Sequence, residues 1–398
     1  MPRSRVLTFG LLTALLASGY GVMFTVLDDF RDEYGIEAHW LGVIVGAGFL
    51  ASFFAQMFLA PIADRGRARQ MVIVGLLLNI VGLIGMAAGE TLTVLLSARL
   101  VMGIGVGMAL PAVRRIVINA DPANLGNNVG LLISSDIAGF AVGPVISALL
   151  VPSFGLASPF LAIAGLTVVC MPVIFRVHVA EATDLPATRF AFDLLRSRPL
   201  LAAISMGAAT YLMIGTFDAL WAIVLDDLEA SDWIANVGIT IFALPLIFLG
   251  SFGGRLAQRV GPFRLGPLGL AVAAGYMSLY GLMPTGLAML AVGVAHACTD
   301  GLSVASTGVA VGLVAPPDRQ AGAHGMLGAA ETLTGGVTAV MAGVLYSWGG
   351  RTLAFTTCSV LMLVLVSGAY LLAGPEYRSR RGIDPVSLRR ERATNLPA

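Results

Sequence analysis

Charged residues are scarce in this chain. Only 12% of its 398 residues are charged, against about 25% in a soluble domain. Lysine is absent, so every basic residue is an arginine. With 57% hydrophobic residues and a mean hydropathy of +0.87, the chain carries more apolar surface than a soluble enzyme could cover. The same apolar area excludes disorder, and a net charge of +1 gives no support for nucleic-acid binding.

Motifs for metals, cofactors and nucleotides are also missing. The three cysteines, Cys170, Cys298 and Cys358, lie in apolar runs and match no metal-binding spacing, so we expect neither a metal site nor a structural disulfide. A glycine-rich phosphate loop with its lysine is absent, so ATP is not expected to power this chain directly. We predict no cofactor and no catalytic residues, and therefore a protein that is not an enzyme.

Twelve apolar segments have the length of about 20 residues that a membrane-spanning helix requires. We interpret the first as a helix and not a signal peptide, because it lacks a clear cleavage site and eleven further spans follow it. The sequence therefore predicts an all-α polytopic membrane protein. The twelve predicted spans are 6–27, 40–62, 71–88, 92–113, 128–151, 159–175, 200–225, 234–254, 265–283, 286–314, 322–348 and 352–372.

Arginine placement predicts the orientation of these spans. One side of the predicted topology collects nearly all the arginines, whereas the other has only Arg31 and Arg351, and Arg99 falls inside the fourth span. The positive-inside rule then places both termini in the cytoplasm. We expect a multi-pass protein of the cell membrane, in contact with the lipid bilayer and monomeric.

The longest loop on the arginine-rich side divides the chain near its middle. It covers residues 176–199, contains Pro186, and is predicted to form a short surface helix over 190–195. We therefore predict an N-terminal six-helix bundle at 1–175, a cytoplasmic linker at 176–199, a C-terminal six-helix bundle at 200–372 and a basic cytoplasmic tail at 373–398.

The two halves repeat each other at a spacing of 194 or 195 residues. The correspondence covers the loops after the second and eighth spans and the helices of the fifth and eleventh spans. Such duplication is typical of secondary transporters, whose two halves are pseudo-symmetric. The matching pairs are Asp64 and Gln258, Arg65 and Arg259, Gly66 and Gly261, Gly130 and Gly325, and Asp136 and Glu331.

Three motifs give the chain a resemblance to the major facilitator superfamily. The loop after the second span resembles that family's signature, with Ala60 in place of the leading glycine and one residue missing before Gly66; its matching residues are Asp64, Arg65, Gly66, Arg67 and Arg69, with a second copy at Gly254, Gln258, Arg259 and Gly261. Arg99, Gly103 and Gly105 resemble the fourth-helix motif. Gly139, Gly143 and Pro144 resemble the fifth-helix motif of proton-coupled exporters, with Ser147 and Ala148 where that motif has glycines.

The resemblance implies two bundles that alternate access to a central site, driven by a proton gradient. It implies a gating role for Asp64, with Arg114 and Arg115 as partners, and a role in proton transfer for Arg99. The alternative for the loop is simple capping and topology. We interpret the helix-packing glycines as sites of close contact between helices and Pro144 as a bend.

Ionisable groups inside the membrane are the candidates for proton coupling, because each costs at least ~2.5–3.5 kcal/mol at a helix centre. Asp136 and Glu331 lie about nine residues past the inner boundary, or ~13 Å deep, in equivalent positions of the two halves. His296 and Asp300 share one helix face and can relay a proton. Arg99 completes this set. The alternative for each is a packing group that is hydrogen-bonded locally.

The substrate-cavity candidates are polar or aromatic residues of the middle spans, namely Ser134, Ser135, Tyr211, Asp218, Trp221 and Thr299. The leading hypothesis is a proton-coupled exporter of small apolar or cationic compounds, with protons and a small molecule as partners. A transporter of a defined polar metabolite, such as a sugar, amino acid or organic acid, is the alternative. A non-transporting sensor is less favoured, and a membrane-embedded enzyme leaves the repeat unexplained.

Overall fold

The computed structural model describes residues 3–177, 179, 181 and 186–379, and that part of the chain is helical without any β-strand. Residues 380–398, most of the predicted basic tail, lie outside the described residues. The α-helices are α1 (Arg3–Thr25), α2 (Leu27–Tyr34), α3 (Ala38–Phe58), α4 (Ala68–Ala88), α5 (Leu92–Ala120), α6 (Leu125–Phe154), α7 (Ala157–Cys170), α8 (Val173–Arg176), α9 (Arg198–Asp227), α10 (Asp232–Val260), α11 (Pro262–Tyr280), α12 (Gly286–Ser303), α13 (Ala305–Val314) and α14 (Gln320–Ser379).

Ten segments of the described chain are long and apolar enough to cross a membrane. One of them, Pro317–Pro375, contains two predicted spans, because Gly349 and Gly350 have non-helical backbone angles and interrupt α14. The predicted ninth span corresponds to α11, which is not one of the ten. An all-helical fold rich in membrane-crossing helices is thus confirmed, and the count of twelve stays a prediction.

Two glycines and one threonine lie at helix boundaries. Gly66 has a φ of 73° and separates a 3₁₀ helix, Ala60–Arg65, from α4. Gly261 has a φ of 104° between α10 and α11. At the start of α12 the Thr285 side chain accepts a hydrogen bond from the Ala288 amide at 3.2 Å. The short helix predicted over 190–195 is present as a 3₁₀ helix, Phe192–Arg196.

The first of two compact units comprises Met1–Ala120, Ser135–Ala191 and Pro316–Thr332. A hydrophobic core of this unit contains Phe30, Leu83 and Phe160, which are at most 1% exposed, and the rings of Phe30 and Phe160 stack with their centres 6.3 Å apart. These side chains come from α2, α4 and α7, so the core joins three helices by burial of apolar area.

Helices α1 and α6 approach each other very closely within the first unit. A Cβ atom added to Gly143 would lie 2.5 Å from the Val22 nitrogen and 2.7 Å from the Gly21 Cα, and one added to Gly139 would collide with the Ala14 carbonyl. Only a glycine allows such backbone proximity. Pro144 lies inside α6, directly after this contact.

The second compact unit comprises Asp121–Ser134, Phe192–Ala315 and Leu333–Ala398. It contains a cluster of packed aromatic side chains. The Phe217 ring stacks on Trp221 at 4.8 Å and on Phe242 at 5.1 Å, and Tyr280 packs against both Phe217 and Phe355 at 5.6 Å. The cluster draws side chains from α9, α10, α11 and α14 into one buried core.

Two segments enter the compact units in a way that follows the repeat. Residues 121–134 belong to the second unit and residues 316–332 to the first, and the two segments begin 195 residues apart. Each segment contains the start of a long helix, α6 or α14. A compact unit is a set of packed residues and not a repeat, so the halves predicted at 1–175 and 200–372 stay a prediction.

The glycine contact between α1 and α6 can be tested by adding a single methyl group. We expect Gly143→Ala to destabilise the protein by about 1–3 kcal/mol, since backbone atoms must move to admit the new Cβ. Unfolding in mixed micelles measures the change. Gly165→Ala in α7 is the matched control, because a Cβ there meets nothing within 4 Å; an equal loss of stability in both variants would contradict close packing as the cause.

Candidate functional site

Asp64 caps the amino end of a helix that lies far away in the sequence. The 3₁₀ helix Ala60–Arg65 buries this side chain to 1% exposure. One carboxylate oxygen accepts from the Ala321 amide at 3.0 Å and the other from the Gly322 amide at 2.7 Å. The first amides of a helix have no partner inside the helix and carry a partial positive charge, so a carboxylate satisfies both. We name Asp64 and these two amides the α14 cap.

Arg115 is the arginine that joins the α14 cap. Its Nε atom lies 3.2 Å from an Asp64 carboxylate oxygen, and the side chain is 3% exposed. Its neighbour Arg114 instead interacts with Asp136 and Glu331. From the sequence, both arginines are expected partners of Asp64. Adjacent residues on a helix point about 100° apart, so the two side chains cannot both face the same carboxylate in the same way. Of the two, the structure pairs Arg115 with Asp64.

The second copy of the loop motif lies at the end of α10, because that helix extends to Val260, and it caps a helix without a charge. In the second unit, the Gln258 side-chain oxygen accepts from the Gly126 amide at 2.7 Å, and its nitrogen donates to the Ala123 carbonyl at 2.8 Å. Gly126 and Ala321 are 195 residues apart, so the two caps occupy equivalent places in the repeat. We name Gln258 and the Gly126 amide the α6 cap.

Other loop-motif residues have their own contacts. Arg65 donates to the Pro186 carbonyl at 3.2 Å, and Arg69 donates to the Val177 carbonyl at 2.7 Å. Arg67 is exposed, as is Arg259 of the second copy. Gly66, Gly254 and Gly261 serve the backbone: a Cβ on Gly254 would collide with the Gly126 carbonyl, and the other two have positive φ angles.

Glycine contacts beside the two caps also follow the repeat. In the first unit, a Cβ on Gly325 would collide with the Gln56 carbonyl, and in the second unit a Cβ on Gly130 would collide with the Gly250 carbonyl. Gln56 also donates to the Thr332 hydroxyl at 3.2 Å. The pairs Gly130 and Gly325, and Gln56 and Gly250, are 195 and 194 residues apart. The repeat therefore includes the close contact between two helices, α14 with α3 and α6 with α10, in addition to the loop motif.

Arg114 lies in the electrostatic field of two acids from the two halves of the repeat. Asp136 and Glu331 each interact with Arg114, and Glu331 also interacts with Asp136. All three side chains are half-buried. His324, four residues after the first residue of α14, belongs to the same field. We name Arg114, Asp136, His324 and Glu331 the Arg114 cluster.

His324 is the residue of this cluster that the sequence did not indicate. It is fully buried, and within the described residues neither of its ring nitrogens has a hydrogen-bond partner. Its spacing of seven residues from Glu331 places both on one helix face, which is the signal that could have identified it.

Arg99 is buried, and its guanidinium faces an aromatic ring instead of a carboxylate among the described residues. The side chain is 4% exposed, its guanidinium lies 4.7 Å from the centre of the Tyr20 ring, and among the described residues it forms no ion pair. Its end packs directly on Gly48, where a Cβ would lie 2.8 Å from an Arg99 nitrogen. The partner of the Arg99 guanidinium is thus the face of an aromatic ring, in a cation–π contact for which Gly48 leaves room.

A second polar group lies inside the second unit. His296 Nε2 is 3.4 Å from an Asp300 carboxylate oxygen, and His296 Nδ1 shares a 3.0 Å hydrogen bond with the Tyr280 hydroxyl. A cavity of about 10 Å³ borders Asp300 together with Thr210, Ser303 and other residues. That volume is close to the space of one water molecule. His296 and Asp300 are both at most 4% exposed.

The substrate-cavity candidates differ in exposure. Asp218 is exposed and Tyr211, Thr299 and Ser135 are half-exposed, whereas Trp221 is 2% exposed in the aromatic core. The Ser134 hydroxyl donates to the Leu246 carbonyl at 3.4 Å. In α5, Gly103 and Gly105 pack on the backbones of α3 and α4, respectively.

Comparison with known proteins gives the family. The profile of the Major Facilitator Superfamily matches residues 9–226, more than half of the chain. The chain belongs to the Major Facilitator Superfamily. The resemblance carried by the loop motif, the fourth-helix motif and the fifth-helix motif is thereby confirmed at the level of the family.

Two curated members of the superfamily are similar over part of their length. "Quinolone resistance protein NorA" of Staphylococcus aureus is 27% identical over 131 residues, which are 33% of this chain and 34% of the relative. "Multidrug resistance protein MdtG" of Serratia proteamaculans is 24% identical over 271 residues, 63% of this chain and 65% of the relative. The matches thus span less than two thirds of either relative.

Solved structures of the superfamily share the fold. The proton:xylose symporter XylE matches with a TM-score of 0.76 at 13% identity, covering 98% of this chain and 100% of that one. The human organic anion transporter MFSD10 matches with a TM-score of 0.73 at 14% identity, covering 94% and 100%. At such identities the likeness shows the fold alone.

The buried histidine of the Arg114 cluster generates a stability prediction. We expect His324→Leu to raise the free energy of unfolding by about 1–3 kcal/mol, because it removes buried nitrogens that have no hydrogen bonds. His296→Leu is the control and should lower stability, since it leaves the buried Tyr280 hydroxyl without its partner. Chemical unfolding in mixed micelles measures both. Destabilisation by His324→Leu would contradict this account.

The Arg99 contact depends on an aromatic ring and not on the hydroxyl of Tyr20. We expect Tyr20→Leu to lower stability by about 0.5–2 kcal/mol through loss of the cation–π contact, whereas Tyr20→Phe keeps the ring and most of the stability. Thermal unfolding of the two variants, with the parent as reference, measures the difference. Equal losses in both would show that the hydroxyl, and not the ring face, supports Arg99.

Proposed function

We propose that this superfamily member is a secondary active transporter that exports small apolar or cationic compounds in exchange for protons. Its twelve helices form two six-helix bundles that alternate access to a central site, with both termini in the cytoplasm of the cell. The names of the two relatives refer to quinolone and multidrug resistance, which supports export. The observation that carries the proposal is the Arg114 cluster, in which repeat-equivalent acids interact with one arginine.

Charge balance explains how the Arg114 cluster couples protons to substrate. With both carboxylates ionised, Asp136 and Glu331 outnumber Arg114 by one negative charge. Excess charge is costly in a medium of low dielectric constant, and two interacting acids therefore favour holding one proton between them. A proton or a cationic substrate each restores neutrality. Binding of one then favours release of the other, which is the requirement for exchange.

The α14 cap supplies a gate on the arginine-rich side, which we assign to the cytoplasm. Asp64 precedes the middle of the chain and α14 follows it, so movement of the two halves against each other separates these partners. Separation exposes two helix amides and a carboxylate to water, which hydrates them. The cap thus stabilises one state by a few charge-assisted hydrogen bonds that water can replace.

Proton-coupled transport of a defined polar metabolite is the second candidate. The exposed carboxylate of Asp218 and the half-exposed Tyr211 favour it, since a polar solute requires hydrogen-bonding groups on the cavity wall. His296 and Asp300 supply a further proton-binding pair in the second unit. Substrate-induced proton movement in the same direction as the substrate, and not the opposite one, would favour this alternative.

The assignment of the two acids is testable in proteoliposomes with an imposed pH gradient. We expect Asp136→Asn and Glu331→Gln each to reduce proton-driven transport of a cationic dye at least tenfold, because the neutral cluster no longer exchanges a proton. Dye movement and internal pH are recorded together by fluorescence.

Asp226→Asn is the matched control, because it makes the same change at an exposed position outside the Arg114 cluster. Its transport should equal that of the parent. Full proton-driven transport by both Asp136→Asn and Glu331→Gln, at normal amounts of folded protein, would exclude these acids as the coupling site.

A further inference from the structure

Glu181 belongs to the linker and makes three contacts in the first unit. One carboxylate oxygen accepts from the Ala68 amide at 3.0 Å and the other from the Arg69 amide at 2.9 Å. The carboxylate also lies 3.8 Å from the Nη1 atom of Arg115. The side chain is 32% exposed, whereas Arg115 is 3% exposed. No motif in the sequence indicated this residue.

The hydrogen bonds from Glu181 cap the amino end of α4, which has no capping side chain of its own. Arg67 occupies the position before α4, and no side chain there accepts a hydrogen bond from the first turn. Glu181 satisfies two of the free amides from 113 and 112 residues away. Because Asp64 lies four residues before Ala68, fixing the start of α4 also fixes the end of the loop that carries Asp64.

The second contact makes Arg115 a bridge between two acids, each of which caps a helix. Asp64 caps α14 and Glu181 caps α4, and Arg115 lies between their carboxylates. Two carboxylates carry two negative charges, and one arginine with two helix amino ends at about half a charge each carries two positive ones. Arg319 also acts on Asp64 and adds a further positive charge, so removing the Glu181 carboxylate would enlarge the positive excess around Arg115.

Neighbouring parts of the linker touch the start of α14 as well. Arg319 donates to the Phe190 carbonyl at 2.9 Å, and a Cβ on Gly322 would lie 2.8 Å from the Ala191 side chain. The linker therefore contacts the loop of Asp64 at one end and the amino end of α14 at the other. Opening of the α14 cap requires these contacts to change too.

We propose that Glu181 is a positioning residue of the gate, which holds Arg115 and the loop of Asp64 so that Asp64 caps α14. Glu181, and the linker residues Phe190 and Ala191 beside α14, then contribute to the gate. This inference rests on the proposed gating role of Asp64. Glu181 touches neither proton nor substrate, and it acts through Asp64 and Arg115.

Hydrogen exchange of the whole protein in lipid nanodiscs, read by mass spectrometry, tests this. We compare Glu181→Gln with the parent and follow peptides covering 68–72 and 320–325. We expect exchange in both to accelerate about tenfold, since loss of a charge-assisted hydrogen bond costs about 1.5 kcal/mol. Glu181→Asp keeps the charge and should restore part of the protection. Glu90→Gln, an exposed position in the loop after α4, is the matched control and should change neither peptide.

The outcomes distinguish failure of the inference about Glu181 from failure of the proposed gating role of Asp64. Acceleration in 68–72 alone makes Glu181 a helix cap without a gating role and overturns the inference. If Asp64→Asn accelerates exchange in 320–325 and Glu181→Gln does not, the gate stands and the inference fails. If Asp64→Asn also leaves 320–325 unchanged, the proposed gate fails as well.

Transport kinetics give an independent readout that a purely structural role would not move. We expect Glu181→Gln to change the maximal rate of transport about threefold or more while the substrate concentration at half-maximal rate stays within twofold, because the gate and not the binding site is altered. An effect confined to half-maximal concentration, or no effect on either, would overturn the inference.

Discussion

The amino ends of α6 and α14 impose the constraint on which this structure depends. The first amides of any helix lack partners within the helix, and an apolar surrounding makes an unsatisfied amide costly. Here the partners come from distant parts of the sequence: Asp64 in the 3₁₀ helix Ala60–Arg65 caps α14, and Gln258 in the last turns of α10 caps α6. Each cap fixes a helix start, and the glycine crossings beside it let the backbones approach. The requirement is local, but its solution ties distant segments together.

The two caps differ in charge, so the two copies of the repeat are not chemically equivalent at this contact. Asp64 is an anion that interacts favourably with the helix dipole and with Arg115. Gln258 is neutral. Its side chain accepts a hydrogen bond from the Gly126 amide and donates one to the Ala123 carbonyl, so neither bond needs an ionised partner. A duplicated architecture thus has one contact sensitive to nearby charge and one that is not.

Ionisable groups in the spans follow two designs. The Arg114 cluster joins half-buried acids with a cation, an arrangement whose net charge can change when a proton or a cationic molecule arrives. His296 and Asp300 instead form a closed polar group with Tyr280 in an aromatic core, beside a space of about 10 Å³. The first group contains half-buried acids, whereas the carboxylate and imidazole of the second are buried. The first group belongs to the first compact unit and the second group to the second.

The sequence by itself determined the helical membrane class, the superfamily and the repeat, because hydropathy, arginine placement and residue spacing are properties of the linear chain. It also related Asp64 to Gln258 and Asp136 to Glu331. Only the tertiary structure decided that Arg115 pairs with Asp64, that Arg114 serves the acids, and that Glu181 reaches the start of α4. These contacts join residues that are 22 to 217 positions apart in the sequence and lie on different helices or in the linker. Which of two adjacent arginines faces a partner depends on helix rotation, which packing sets.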